Sequence, residues 1–170
     1  MSESGLKFRA VELADLETLY RWENDFETWQ VSLSKVPYSR FQLEQYIAHA
    51  NEDIQNAGQY RFMIEAQDGG LMGCIDLFDY ETVHRRAGVG ILIDKAFRHK
   101  GYASQALSFI VDYAFSKLGM KQLYCSISSD NKASLDLFKK ASFEVIGLRR
   151  DWIFIEGEWK DVIDFQLLNT

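Results

Sequence analysis

Arg98-His99-Lys100-Gly101-Tyr102-Ala103 lies between two segments of opposite character. Before it runs Ala87-Gly88-Val89-Gly90-Ile91-Leu92-Ile93, an unbroken apolar stretch of strand length. After it, Ala103, Ala106, Leu107, Ile110, Val111, Ala114, Phe115 and Leu118 recur at helical spacing. Lys117 and Gly119 stand where such a helix ends. A short basic loop therefore joins a buried strand to the N-terminus of a helix. Amide groups at a helix N-terminus lack intrahelical partners and carry partial positive charge. Gly101 lets the backbone approach a ligand closely, and Ala103 keeps the first turn clear. Arg98, His99 and Lys100 add cationic or hydrogen-bonding side chains. These are the parts of a phosphate cradle.

Outward from this unit the chain reads as alternating strands and helices. Leu6 to Glu12 alternates as a first strand, and a helix starts near Asp15 with Leu16, Leu19, Tyr20 and Trp22. Glu23-Asn24-Asp25-Phe26-Glu27-Thr28-Trp29 has two readings: a solvated helix end with two buried rings, or a wall that binds cations through carboxylates and aromatic faces. Ser39-Arg40-Phe41-Gln42 has capping-box spacing and opens a helix to about Asn56, ended by Gly58. Strands Tyr60 to Ala66 and Leu71 to Phe78 flank the turn Asp68-Gly69-Gly70, and Asp79 to Val83 is the next connection. Lys121 to Ser128 is a strand, and a helix follows from Asp130. Phe143 to Ile155 and Trp159 to Leu168 are two strands around Glu156-Gly157-Glu158. This order predicts a mixed α/β sheet with packed helices. The β-α-β unit over residues 87–128 should be a parallel, right-handed crossover.

The 170 residues suit a single domain over residues 1–170, with 47% apolar and 26% charged residues, as in ordinary globular proteins. No apolar run is long enough for a membrane span, and no basic-then-apolar leader precedes Lys7. A net charge of −6 argues against nucleic acid as a partner and suits a cationic one. Cys74 and Cys125 fall in strands and read as buried thiols, which points to a reducing cytoplasm. His49, His84 and His99 form no metal motif, so no metal is expected.

Arg98-x-x-Gly101-x-Ala103 after a buried strand resembles the pyrophosphate loop of the GNAT superfamily of N-acetyltransferases. Asn131-x-x-Ser134-x-x-x-Phe138-x-Lys140-x-x-Phe143 is similar to that family's second motif, and the element order matches along essentially the whole chain. The resemblance implies a mostly antiparallel sheet with one splayed parallel pair, flanked by helices. It implies acetyl-CoA as cosubstrate, held by Arg98 to Ala103, by Asn131, Ser134 and Lys140, and by backbone of Ile91, Leu92 and Ile93. His84-Arg85-Arg86-Ala87, Tyr60-Arg61-Phe62, Asp76 and Asp79 resemble the polyamine acetyltransferases. Gly157-Glu158-Trp159-Lys160-Asp161 is similar to a group that includes ribosomal-protein alanine acetyltransferases. Two positions depart from the pattern. Phe138 stands where the family carries a tyrosine proposed to protonate the leaving thiolate. Ser142 replaces a glycine, which suggests a different helix C-cap geometry.

The implied reaction is attack of a neutral amine on a thioester. An aliphatic amine of pKa ~10 is almost wholly protonated near pH ~7, so a base is needed. Glu81, Asp79 and Asp76 are the carboxylates nearest the splayed strands; Asp79 and Glu81 could equally just solvate a turn. Glu23, Asp25, Glu27 and Asp76 would line an acceptor pocket for a polyamine. A backbone N–H of the Gly88–Ile93 strand could hold the oxyanion. Tyr124, Ser128 and Tyr102 are alternative proton donors. Two other functions stay open: acetylation of protein N-termini, and an acyl-CoA-binding sensor without catalysis. A homo-oligomer is compatible with the chain.

Overall fold

The computed structural model describes residues 5–32 and 34–170. Among the described residues seven strands form one sheet: β1 (Leu6–Ala10), β2 (Tyr60–Ala66), β3 (Leu71–Glu81), β4 (Arg86–Ile93), β5 (Gln122–Ser128), β6 (Glu144–Ile155) and β7 (Glu158–Leu168). Their spatial order is β1-β2-β3-β4-β5-β7-β6. Every pair is antiparallel except β4 with β5. The helices are α1 (Leu16–Glu23), α2 (Phe26–Ser32), α3 (Arg40–His49), α4 (Ile54–Ala57), α5 (Tyr102–Ser116) and α6 (Lys132–Lys140). The α5 segment is the crossover between the two parallel strands, as the sequence requires.

Strand alternation divides the core in two. On one face Ile75, Leu77, Ala87, Val89, Leu123 and Cys125 pack against Ala106, Leu107, Ile110 and Ala114 of α5 and Leu135 and Phe138 of α6. On the other, Met63 and Cys74 meet Leu19 and Trp22 of α1 and Leu43 and Ile47 of α3. Cys74 and Cys125 thus lie on opposite faces as free buried thiols, and burial pushes both up to about 12.

Four local expectations need correction. The helix read to Asn56 stops at His49; the Asp53 carboxylate accepts from Gln55 N–H at 2.8 Å and starts the separate α4. After α1, Asp25 caps a distinct helix, α2, accepting from Glu27 N–H at 2.9 Å. Its first ring, Phe26, is exposed rather than buried. β3 continues to Glu81 instead of stopping at Phe78, because a bulge between Phe78 and Glu81 carries Asp79 at φ +47° and lets the ladder resume at Glu81–Arg86.

The fourth correction concerns Ser142. Phe143 N–H donates to Phe138 O at 3.0 Å and Ser142 N–H to Lys139 O at 3.0 Å, with Ser142 at φ +67°. That is a Schellman end, the geometry a glycine would adopt, and not a different one. The Phe138 and Phe143 rings, 5.0 Å apart and nearly perpendicular, supply its apolar contact. Serine there carries the strain of a Cβ in the left-handed region. Ser142→Gly should therefore stabilise the protein by about 1 kcal/mol. A raised urea midpoint checks it; a lowered one would show the hydroxyl to be needed.

Candidate active site

β4 and β5 pair only at Arg86–Gln122, Ala87–Leu123 and Gly88–Tyr124. Beyond that vertex β4 continues to Ile93 against β3 alone. Asp94 N–H donates to Met72 O at 2.8 Å, which sets the phase of the β3–β4 ladder. By antiparallel alternation, Leu92 and Gly90 direct their peptide groups to β3, while Val89, Ile91 and Ile93 direct theirs into the gap. Ile91 and Ile93 are thus placed for backbone contact with a ligand along this edge. Leu92 is not, and Val89, which sequence reading left out, takes its place; the alternation itself was the available signal. The Ile93 carbonyl already accepts from Arg98 Nε at 3.1 Å.

The loop at the open end of the gap has the cradle geometry. Gly101 is the N-cap of α5 at φ +81°, and no side chain caps the helix. The N–H groups of Tyr102, Ala103 and Ser104 are therefore left for an anion. His99 also has a left-handed backbone, φ +61°, and its side chain is exposed. Lys100 is exposed too, its ammonium 3.3 Å from Ala96 O. Arg98 is already engaged: its guanidinium reaches Glu27 at 3.3 Å. Across the gap, the Asn131 side-chain Oδ1 caps α6 by accepting from Ser134 N–H at 3.2 Å. Lys140 is exposed in the last turn of α6, and the structure brings it to none of these groups.

The four acids expected to line an acceptor pocket are all engaged with cations of the protein itself. Asp76 holds Arg61 with two bonds of 2.7 and 2.8 Å, and Glu23 takes a third at 2.8 Å. The Arg61 side chain is only 16% exposed and its pKa is raised against the pull of burial, chiefly by Asp76. Asp25 pairs with Lys95 at 3.0 Å, which lowers its pKa, and Glu27 meets Lys95 and Arg98 at 3.4 and 3.3 Å. The acidic stretch therefore fastens α2 to the loop after β4.

Of the remaining candidates, the Glu81 carboxylate accepts from Val83 N–H at 2.9 Å and closes the β3–β4 turn. Asp79 instead accepts from the Tyr124 hydroxyl at 3.4 Å, beside the vertex. Tyr124 lies opposite Gly88, and a Cβ on Gly88 would fall 2.3 Å from the Phe78 ring. Phe78 and Tyr124 meet edge to face. Gly90 differs: a Cβ there would touch the Phe78 ring at 3.7 Å and Asp76 Cβ at 3.9 Å, ordinary van der Waals contacts. Phe138 is 3% exposed and belongs to the core. Among the described residues, no group of three or more His, Cys, Asp or Glu side chains is placed to hold a metal.

Similarity to known proteins agrees with this geometry. Residues 6–144 match the Acetyltransferase (GNAT) domain family. The spermidine N(1)-acetyltransferase of Escherichia coli K12 is 28% identical over 164 residues, spanning 95% of this chain and 85% of that protein. A putative ribosomal N-acetyltransferase of Bacillus subtilis, YdaF, is 30% identical over 101 residues, 59% of this chain and 55% of its own. The crystal structure of Vibrio cholerae spermidine N-acetyltransferase in complex with CoA and spermine superposes with a TM-score of 0.89 at 26% identity, covering 98% of this chain and 96% of the other. A dodecameric structure of the Vibrio enzyme gives 0.83 at 27% identity, with 98% and 95% covered. With a parallel pair open at one end, a helix start free to bind an anion beside it, and a family match over most of its length, this chain belongs to the GNAT acetyltransferases.

Proposed function

We propose that the protein is an acetyl-CoA-dependent N-acetyltransferase whose acceptor is the primary amine of a polyamine such as spermidine. The observation that carries this reading is the charge left over on the α1–α3 face of the sheet. Arg61 neutralises only one of its two carboxylate partners, Asp76 and Glu23. Asp79 and Glu81 have no cation within 4.0 Å among the described residues. A cleft of about 500 Å³ between α3 and β2–β3 continues from Asp76 and Phe78 past Tyr46 and Tyr60 to His49 and Glu52. It offers the Phe78 ring and a distal carboxylate, Glu52, to an extended polycation. The spermidine acetyltransferase relatives support the same acceptor.

Acetyl-CoA supplies the acyl group as an activated thioester. The Tyr102–Ser104 amides bind its pyrophosphate at the start of α5, and the edge of Val89, Ile91 and Ile93 orients the arm toward the vertex. A gap-facing N–H of β4 stabilises the developing oxyanion. Asp79 or Glu81 takes the proton of the attacking amine. The proposal extends to one cytoplasmic domain working without a metal, nucleic acid or membrane. It also includes a homo-oligomer, supported by the dodecameric relative and by Val145, Ile146, Leu148, Trp152 and Phe154 exposed on β6.

An acetyl-CoA turnover screen over spermidine, spermine, diamines, amino sugars, amino acids and peptide N-termini tests the acceptor. Spermidine should be turned over, and Asp76→Asn with Glu81→Gln should raise its KM about tenfold, as expected for losing two charge contacts of ~0.5–1 kcal/mol each. Robust turnover of a peptide N-terminus with none of spermidine would overturn the acceptor assignment.

A further inference from the structure

We propose that Tyr124 and Asp79 form a coupled proton relay at the vertex, with Tyr124 as the acid for the leaving sulfur and Asp79 as the base for the amine. The inference rests on the acetyltransfer reading above and assigns two roles that reading leaves open.

Position comes first. Gly88–Tyr124 is the last residue pair before the parallel strands part. An acyl chain entering from the α5 loop and following β4 from Ile93 descends five residues, roughly 17 Å, to end beside that pair. No other phenol lies on β5. At the position where the family carries its acid, Phe138 has no proton to give, and its ring is committed to Phe143 and the core. The alternative donors fit less well. Tyr102 sits at the first turn of α5, at the far end of the gap. The Ser128 hydroxyl donates to Asp130 at 2.6 Å.

The second observation is strain. Asp79 has φ +47° inside a strand bulge, a conformation that costs a residue with a Cβ of order 1 kcal/mol. The bulge re-aims the side chain, and the carboxylate meets the Tyr124 hydroxyl instead of a cation. Asp76 and Glu23 on this face are occupied by Arg61 and Asp164 by Arg149, while Glu81 accepts from Val83 N–H. Burial, and then the charge of Asp79, holds the Tyr124 phenol above its ordinary value, so it keeps its proton at neutral pH. Arg86, at the start of β4, is the charged group that pulls the other way.

The step balances without an outside reagent. The amine reacts in its neutral form, its ammonium proton having passed to solvent; as its nitrogen forms the C–N bond, one N–H proton passes to Asp79. The C–S bond breaks, the sulfur leaves with the electron pair, and it takes the Tyr124 proton. The phenolate then recovers a proton from Asp79 along the hydrogen bond they share. Both groups return to their starting states, and the products are the acetamide and the thiol.

The test uses full-length Tyr124→Phe and Asp79→Asn variants. Tyr124→Phe should lower kcat about tenfold or more, with CoA affinity by calorimetry within about twofold of wild type. NMR of protein labelled at the tyrosine Cζ carbons supplies a readout apart from turnover. Tyr124 is assigned by the signal lost in Tyr124→Phe, and its titration midpoint should fall in Asp79→Asn. An unchanged kcat in Tyr124→Phe, or a midpoint that ignores Asp79, overturns the relay. The relay is scored on whichever amine wild type acetylates, so loss of the polyamine assignment alone leaves it standing. A wild type that acetylates no amine overturns both.

Discussion

Gly101→Val should weaken CoA binding at least about a hundredfold while the sheet stays folded. Gly101 has φ +81°, and a Cβ placed on it would have nothing within 4 Å. The damage is therefore conformational and involves no steric clash. A β-branched residue in the left-handed region is strained by more than the usual ~1–2 kcal/mol, so the loop relaxes to negative φ. That rotation turns the free amides at the start of α5 away from the pyrophosphate. Charge-assisted hydrogen bonds of this type are worth about 1.5–3 kcal/mol each, and a hundredfold is ~2.7 kcal/mol, so losing one or two suffices. Arg98→Ala should cost less, because that guanidinium is already shared with Glu27 and Ile93. Calorimetric titration with CoA, with circular dichroism to check folding, measures both. Wild-type affinity in Gly101→Val would remove the loop from the binding site.

Gly73→Ala should be the costliest small change to the fold. A Cβ there would lie 2.1 Å from the Leu92 carbonyl oxygen and 3.1 Å from Ile93 Cα. Those are backbone atoms of β4 and cannot rotate aside. Relief requires prising β3 from β4, at about 3 kcal/mol, near the upper range of overpacking penalties. A urea midpoint lowered to match is the expected result. An unchanged midpoint would mean that β3 and β4 can part at Gly73 at no cost. Gly90→Ala is the contrast, with its nearest neighbour at an ordinary 3.7 Å.

The apolar run before the basic loop announced the crossover and the helix start at Gly101, because strand burial, helical spacing and a left-handed glycine are all local signals. The Ser39 capping box and the Asn131 cap were legible for the same reason, and both form as expected. The partners of the acids were not legible. Arg61 lies 38 residues from Glu23, and Lys95 lies 70 from Asp25, so the sequence left a solvated helix end and a cation-binding wall both open where the fold makes ion pairs. The bulge at Asp79 was equally hidden, since aspartate reads as a turn residue whether or not a strand resumes after it. The Tyr124–Asp79 contact depends on that bulge and on strand register, and neither is a property of either residue alone.

The parting of β4 and β5 bears on how long the molecule lasts as well as on what it does. Three residue pairs are the whole ladder between the β1–β4 half of the sheet and the β5–β7 half. A pantetheine arm lying along Val89, Ile91 and Ile93 would splint that seam, adding cohesion that the polypeptide does not supply for itself. Ligand present at a hundred times its dissociation constant adds about 2.7 kcal/mol to the folded state. In a cell rich in acetyl-CoA the enzyme would then resist unfolding and proteolysis, and in a starved one it would be cleared sooner. Its abundance would follow the supply of the substrate that it consumes.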